Sequence, residues 1–446
     1  MHNLNNEQQN VKQAIMDLQP GDRLVVSGRA GSGKTYTIAN SVSNLKALFL
    51  APTHPARSVL EQEVSSKDNK VMTIHSAIGW YRYRDEELNM VDGYLPAKKA
   101  RNRLMHSTDN KAGSFADVDI IIVDEFSMVG SFLFGAIEEY ADEFDLPVVY
   151  SGDRFQLPPV LDREVIMDQG FKTITLDGSM RFSRDSEIFQ FGETLREMIE
   201  YRPNDEMPCI YGGSIVQVVT GNQWMGTLTH AYANCEDLLA VTSDNKTLKR
   251  LRGKVRQFDH DRLTGGDLVI SKQTDELFRN GEQFTISRIE PSTRVLQDVP
   301  GCISNSGELT THGFKVTFLE TTRTAFTMED EREADKLSQR ICRLHRKGTL
   351  NHTEAARILD WLDQFNSFEL SALATVHKSQ GRSVDTVFID TSTVFKRPVW
   401  LSPEMHKRLL YTAVTRAREQ VVFYEMAGCC EGVNPKSKKT MNCELV

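Results

Sequence analysis

Residues 28–35 read GRAGSGKT, a glycine-rich turn that ends in a lysine and a threonine and follows the apolar run DRLVVS. The pattern G-x-x-x-x-G-K-[ST] between a strand and a helix forms a phosphate cradle. Backbone N–H groups of Gly28, Arg29, Ala30, Gly31, Ser32 and Gly33 can wrap phosphates, while Lys34 reaches the β- and γ-phosphates and Thr35 ligates Mg²⁺. Further along, IIIVDEFSM sets Asp124 and Glu125 at the end of a buried strand. Asp124 there can hold Mg²⁺, and Glu125 can accept a proton from an attacking water. SGDRFQLPPV adds Asp153 and Gln156 at the next strand end, and a glutamine in that place can sense a γ-phosphate. Lys34, Asp124, Glu125 and Gln156 together read as a site that hydrolyses ATP with Mg²⁺.

That chemistry needs strand ends brought to one place. RLVVS, KALFLAP, DIIIVDE and LPVVYSGD are continuous apolar runs separated by helical segments such as TYTIANSVSNL. Such alternation predicts a parallel sheet covered on both faces, with the ligand at the carboxyl ends of the strands. The runs end at Gly28, Thr53, Asp124 and Asp153. A second alternation runs through DLLAVTSDNK, SALATVHKSQG, DTVFIDTS and QVVFYEM. The fold expected is α/β, with two parallel-sheet domains. The first is divided into 1–80 and 116–177, the second into 178–265 and 366–430. A polar insertion, 81–115, carries Asp92-Gly93 between apolar residues, a hairpin signal. A second, β-rich insertion covers 266–365 and ends in a charged helix-like run, and 431–446 reads as a flexible tail.

Composition narrows the class. With 446 residues, 40% hydrophobic and 26% charged, the chain has the make-up of a globular protein of two or three domains. The start, MHNLNNEQQN, is polar, and no apolar run approaches the roughly 20 residues that span a bilayer, so a cytoplasmic protein without membrane partners is expected. Seven scattered cysteines form no C-x-x-C pair and read as reduced structural thiols. A net charge of -8 argues against coating nucleic acid by bulk electrostatics but leaves room for a local basic groove.

GRAGSGKT, APTHPAR, TIHS, VDEFSM, GDRFQLPPV, TVHKSQGRSVD and YTAVTRARE occur in the order found in superfamily 1 helicases. The set resembles the branch that holds the RecD-like enzymes and the bacteriophage Dda helicase, over 4–424. The resemblance implies two tandem RecA-like P-loop motor domains and an ATP-dependent DNA helicase, moving 5′ to 3′ on single-stranded DNA as a monomer. A place in replication or recombination, with single-strand-binding or other replication proteins as partners, follows from it, and a phage origin would mean the host cytoplasm. It assigns Gln8 to adenine, and Arg181 and Arg416, about 150 and 380 residues after Lys34, to γ-phosphate charge across a closing cleft. Single-strand contacts would come from Pro52, Thr53, His54 and His75, and from Thr242, Ser243, His377, Lys378 and Ser379. Gln380 and Gly381 would couple the two sites. Ser243 stands where the family carries an asparagine. The 81–115 insertion falls where Dda has its strand-separating hairpin, with Met90, Tyr94 and Leu95 as wedge candidates; a hairpin packing its own side chains is the alternative. A translocase that strips proteins from DNA shares every motif. A nucleotide-operated recruitment switch needs neither Glu125 nor the arginines.

Overall fold

Strand positions alternate between two cores, and that alternation builds the first domain. The computed structural model describes residues 4–64, 68–106, 114–160, 162–178, 185–258, 262–275, 277–426 and 430–431. The tail expected over 431–446 lies outside them apart from Glu431. Six strands pair in parallel in the order Lys70–Thr73, Ala47–Ala51, Ile120–Val123, Val148–Gly152, Arg23–Gly28 and Lys172–Leu176. Leu24, Val26, Phe49 and Ile122 face helices Asn6–Met16, Lys34–Ser41 and His54–Glu63. Val25, Leu48, Leu50 and Ile121 face the opposite side, against Ile137 and Tyr140 of helix Ser131–Phe144. Ala47–Ala51 and Val148–Gly152 are therefore buried at every position, as continuous apolar runs require.

The second domain repeats the plan. Val216–Val219, Ala417–Tyr424, Val384–Ile389, Leu238–Thr242 and Leu373–Thr375 form a parallel sheet in that order. One face packs on helices Glu187–Tyr201 and Pro403–Val414. The other packs on helices Gly221–Ala233 and Asn245–Val255. Both sheets thus have the arrangement of RecA-like domains.

The β-rich insertion is an antiparallel sheet in the order Thr324–Met328, Leu309–Phe318, Gln283–Leu296, Leu268–Ser271 and Phe368–Leu370. Its last strand lies just beyond the 266–365 span read from the sequence. Phe278, Phe284, Phe318 and Phe368 join the core of the second domain, so the module sits firmly on that domain. Two helices, Glu331–Arg346 and His352–Asp363, extend from it around their own core.

The first insertion forms a hairpin of Tyr81–Arg84 and Met90–Gly93 followed by helix Ala97–His106. Its turn is at 85–89 and not at Asp92-Gly93. Asp85 Oδ1 accepts from the N–H groups of Glu87 and Asn89, and Leu88 takes the left-handed φ of 68°. Gly93 lies under the ring of Tyr81, where a Cβ would come within 2.7 Å of Cζ. Among the described residues no helix is long and apolar enough to cross a membrane.

Candidate nucleotide cleft and nucleic-acid channel

The glycine loop leaves strand Arg23–Gly28 and enters helix Lys34–Ser41 in one turn. A Cβ on Gly28 would meet Ser32 Oγ at 2.7 Å and the Leu176 carbonyl oxygen at 2.9 Å. Gly31 and Gly33 have φ of 75° and 80°, a region that favours glycine. Lys34 Nζ donates to the carbonyls of Gly28 and Arg29 at 2.8 and 3.0 Å. Two side-chain atoms, Ser32 Oγ and Gln156 Oε1, are buried and find no hydrogen-bond partner among the described residues. The orphaned Ser32 hydroxyl can donate to an incoming phosphate oxygen, whereas Gln156 Oε1, an acceptor, would take a donor such as a water.

Asp124 follows strand Ile120–Val123, and its N–H donates to the Leu50 carbonyl at 2.9 Å. Glu125 beside it is held at φ 52°, a costly conformation for a side chain with a Cβ. Burial raises the pKa of both carboxyls, and Asp124 raises Glu125 further; Lys34 opposes both shifts and Arg416 opposes that on Glu125. Among the described residues no group of three or more His, Cys, Asp or Glu is placed to hold a metal ion. The Thr35 hydroxyl and the Asp124 carboxylate are oxygen donors, the kind that a Mg²⁺ arriving with phosphates would take.

The second domain closes over this site. Arg416 is 3% exposed, and its Nε and Nη1 donate to the carbonyls of Thr412 and Arg382 at 3.1 and 3.2 Å. The loop bearing Gln156 is inserted into the second domain, where Phe155 and Leu157 join its core. Tyr411 Oη donates to Asp153 Oδ2 at 2.6 Å, the Leu157 N–H donates to Thr412 Oγ1 at 3.1 Å, and Gln380 Nε2 donates to the Leu157 carbonyl at 2.8 Å. Arg181 lies outside the described residues. Gln8 caps helix Asn6–Met16, and its Oε1 accepts from the Asn5 N–H at 3.0 Å.

On the other side of Gln380 a channel of about 590 Å³ runs between the domains. Pro52, Thr53, His54, His75, His377 and Lys378, to which the resemblance gives single-strand contacts, line it together. So do Trp80, Arg82, Lys272, Arg279 and Asn280, which lie outside the motifs, and Arg382, which lies within TVHKSQGRSVD without a role assigned to it. Gly381, at φ 74°, brings the backbone close to Ala56. Thr242, Ser243 and Ser379 are turned to their own backbone: their hydroxyls donate to the carbonyls of Asp244, Thr393 and Val376.

Burial, helped by Arg57 and Arg279, lowers His54 to about 4, and burial also lowers His75 and His377. The channel imidazoles are therefore neutral near pH 7. A base whose pKa is depressed on folding stabilises the fold above its unfolded value of about 6.5, and that contribution is lost as pH falls toward the folded value. His54→Asn is expected to lessen the fall in melting temperature between pH 7 and 4.5 by about 2–4 °C, followed by circular dichroism. An unchanged acid slope would mean that His54 is not shielded as described.

On the hairpin, Met90 is exposed, but Tyr94 is turned inward. Its Oη donates to Glu139 Oε2 at 2.6 Å, which raises its pKa to about 12, and its ring meets Phe132 edge-on. Leu95 likewise packs on the first domain's core. The exposed aromatic face consists of Tyr81 and Tyr83, with ring centroids 6.0 Å apart. The period of two in YRYR carried that signal. The hairpin tip reaches the helical pair of the β-rich module. Arg84 pairs with Asp360 at 3.0 Å and with Asp363, His352 Nε2 lies 2.9 Å from the Asp85 carbonyl, and Leu88 enters the pair's core.

Comparison with known proteins agrees with this geometry. A model described as an AAA domain matches residues 3–199, and one described as a UvrD-like helicase C-terminal domain matches 370–424. An uncharacterised protein of Acanthamoeba polyphaga mimivirus is 21% identical, over 89% of this chain and 94% of that protein. The ATP-dependent DNA helicase Pif1 of Psychrobacter sp. (strain PRwf-1) is 24% identical over 86% of this chain, which spans 64% of its length. Among solved structures, one described as showing DNA unwinding at forked double-stranded DNA by two coordinating Pif1 helicases shares the fold, with TM-score 0.51 and 17% identity over 95% of this chain and 92% of that one. An AAA-type P-loop domain and a UvrD-like helicase C-terminal domain in tandem give the chain the make-up of an ATP-dependent DNA helicase, similar to the Pif1/RecD-like members of superfamily 1.

Proposed function

We propose that this chain is a motor that moves 5′ to 3′ along single-stranded DNA and separates the strands of a duplex ahead of it, as the Dda-like resemblance implies. The observation that carries this reading is continuity between the two sites. Gln380, close to channel residues His377 and Lys378, holds the Leu157 carbonyl in the loop that carries Gln156. A change at the cleft can therefore shift the grip of the channel. Thr35 and Asp124 would hold Mg²⁺, which would neutralise phosphate charge; Glu125 activates water, and Arg416 answers the charge that develops as the cleft closes. Bound ATP supplies the phosphoryl group whose transfer to water drives the cycle. The hairpin is the wedge, with Tyr81 and Tyr83 presenting ring faces on which an end base pair can stack. The enzyme acts as a monomer at single/double-strand junctions in the cytoplasm, in replication or recombination, alongside single-strand-binding proteins.

Matched duplexes bearing a 5′ or a 3′ single-stranded tail test this. Unwinding of the 5′-tailed duplex alone, lost in Lys34→Ala, is expected. Unwinding from the 3′ tail alone would reverse the polarity. Displacement of a bound protein without opening of bare duplex would make the enzyme a protein-stripping translocase.

A further inference from the structure

The phosphate-cradling role of the glycine loop uses backbone N–H groups and Lys34, which leaves the side chain of Arg29 unexplained. That side chain crosses the cleft to helix Glu187–Tyr201, whose Ile188, Leu195 and Ile199 belong to the core of the second motor domain. Its Nη2 donates to Glu193 Oε2 at 3.0 Å, and its Nη1 lies 3.0 Å from Glu193 Oε1. The guanidinium also stands 4.4 Å from the centre of the Phe189 ring. Arg29 is only 8% exposed, while the Glu193 side chain is 35% exposed, so the pair is shielded on the arginine side and open to water on the other. Only Nη2 makes a hydrogen bond, and Nη1 and Nε are buried without one among the described residues; a planar cation that meets a carboxylate edge and a ring together is still a geometry that lysine cannot reproduce.

We propose that Arg29 and Glu193 form a latch between the phosphate loop and the second motor, made only when the cleft is closed. The inference rests on the motor reading above. Arg29 is a positioning residue: its guanidinium holds Glu193 and touches no reacting atom. In an open cleft both charged groups recover water, so the pair contributes to the closed state alone and enters the open–closed equilibrium directly. Because one end is built into the loop that receives phosphates, an incoming nucleotide that settles that loop also presents Arg29 to Glu193. The second motor is thereby held closed from the phosphate end of the site, while Arg416 acts at its hydrolytic end. Arg196 lies 3.5 Å from Glu193 and keeps that carboxylate paired on its own helix. Glu193 therefore keeps a partner on its own helix when the latch opens.

A double-mutant cycle in the full chain tests the latch with Arg29→Gln, Glu193→Gln and both together. Each single variant is expected to raise the KM for ATP at saturating single-stranded DNA by about tenfold, with kcat within about threefold of native. The double variant should be no worse than either single one. A second measurement needs no turnover. Dyes on the two motor domains, read by energy transfer without nucleotide, should show a smaller closed fraction in all three variants. Melting curves identify any variant that fails to fold, and Phe189→Leu, which keeps both charges, should then give a smaller shift of the same sign. Additive effects in the double variant would overturn the latch, as would a raised KM in Arg29→Gln with native behaviour in Glu193→Gln, which would assign Arg29 to the phosphates. A native protein without DNA-stimulated ATPase would defeat the motor reading, and the nucleotide-free distances would still decide the latch.

Discussion

Glu125→Gln is expected to lower ATP turnover at saturating single-stranded DNA by about 10²–10³-fold, within the range that loss of a positioned base costs. The residue is held in a left-handed conformation at the end of a buried strand, beside Asp124 and within the electrostatic reach of Arg416. Glutamine keeps the size and the hydrogen-bonding edge of the side chain but cannot take a proton. Nucleotide binding should persist, because the glycine loop and Lys34 are untouched, and binding of a fluorescent ATP analogue checks this. The pH profile adds an independent reading. Burial and Asp124 raise the Glu125 carboxyl above its ordinary value, so native turnover should fall as pH drops through that raised value. The residual turnover of the glutamine variant should lack that acidic limb. Full turnover in the variant would move the base elsewhere.

Arg416→Ala should be at least as damaging, by about 10³-fold, the lower end of what a catalytic arginine contributes to phosphoryl transfer. The guanidinium is already aimed: its donors are fixed on the carbonyls of Thr412 and Arg382. Arg416→Lys restores the charge without the fork, and turnover about 10²-fold below native is expected. Affinity for single-stranded DNA, read by fluorescence anisotropy without nucleotide, should change little, since Arg416 does not line the channel. A parallel loss of DNA affinity would show that Arg416 supports the channel through Arg382 as well as serving the cleft.

Much of this was legible in the sequence because the residues that matter sit at strand ends, and the strands announce themselves. Leu48, Phe49 and Leu50 are apolar in succession because both faces of their strand are covered, so the parallel sheet and its ligand edge follow together. The channel histidines came from the resemblance, on the motifs APTHPAR, TIHS and TVHKSQG. What stayed hidden depends on contacts remote in the chain. Tyr94 looked like a wedge from its neighbours, but Glu139, 45 residues away, turns it inward. The hydroxyl of Ser243 is claimed by Thr393, 150 residues on, and Arg29 is committed to Glu193 across 164. The hairpin turn was misjudged for a local reason. Asp-Gly is a strong turn pair, but here the glycine serves the Tyr81 ring, and Asp85 organises the bend.

The contact between the hairpin and the helical pair also bears on when the protein becomes complete during its synthesis. Arg84 and Asp360 are 276 residues apart. At about 5–20 residues per second, the partner of the hairpin leaves the ribosome roughly 14–55 s after the hairpin itself. The first sheet has all its strands by Leu176, so its fold can precede that event. The glycine loop can thus take shape early, while Arg84 and Leu88 wait for the helices that hold them. A nascent chain passes through a stage with a formed phosphate site and an unsupported wedge, and a chain cut short before Asp360 would remain there.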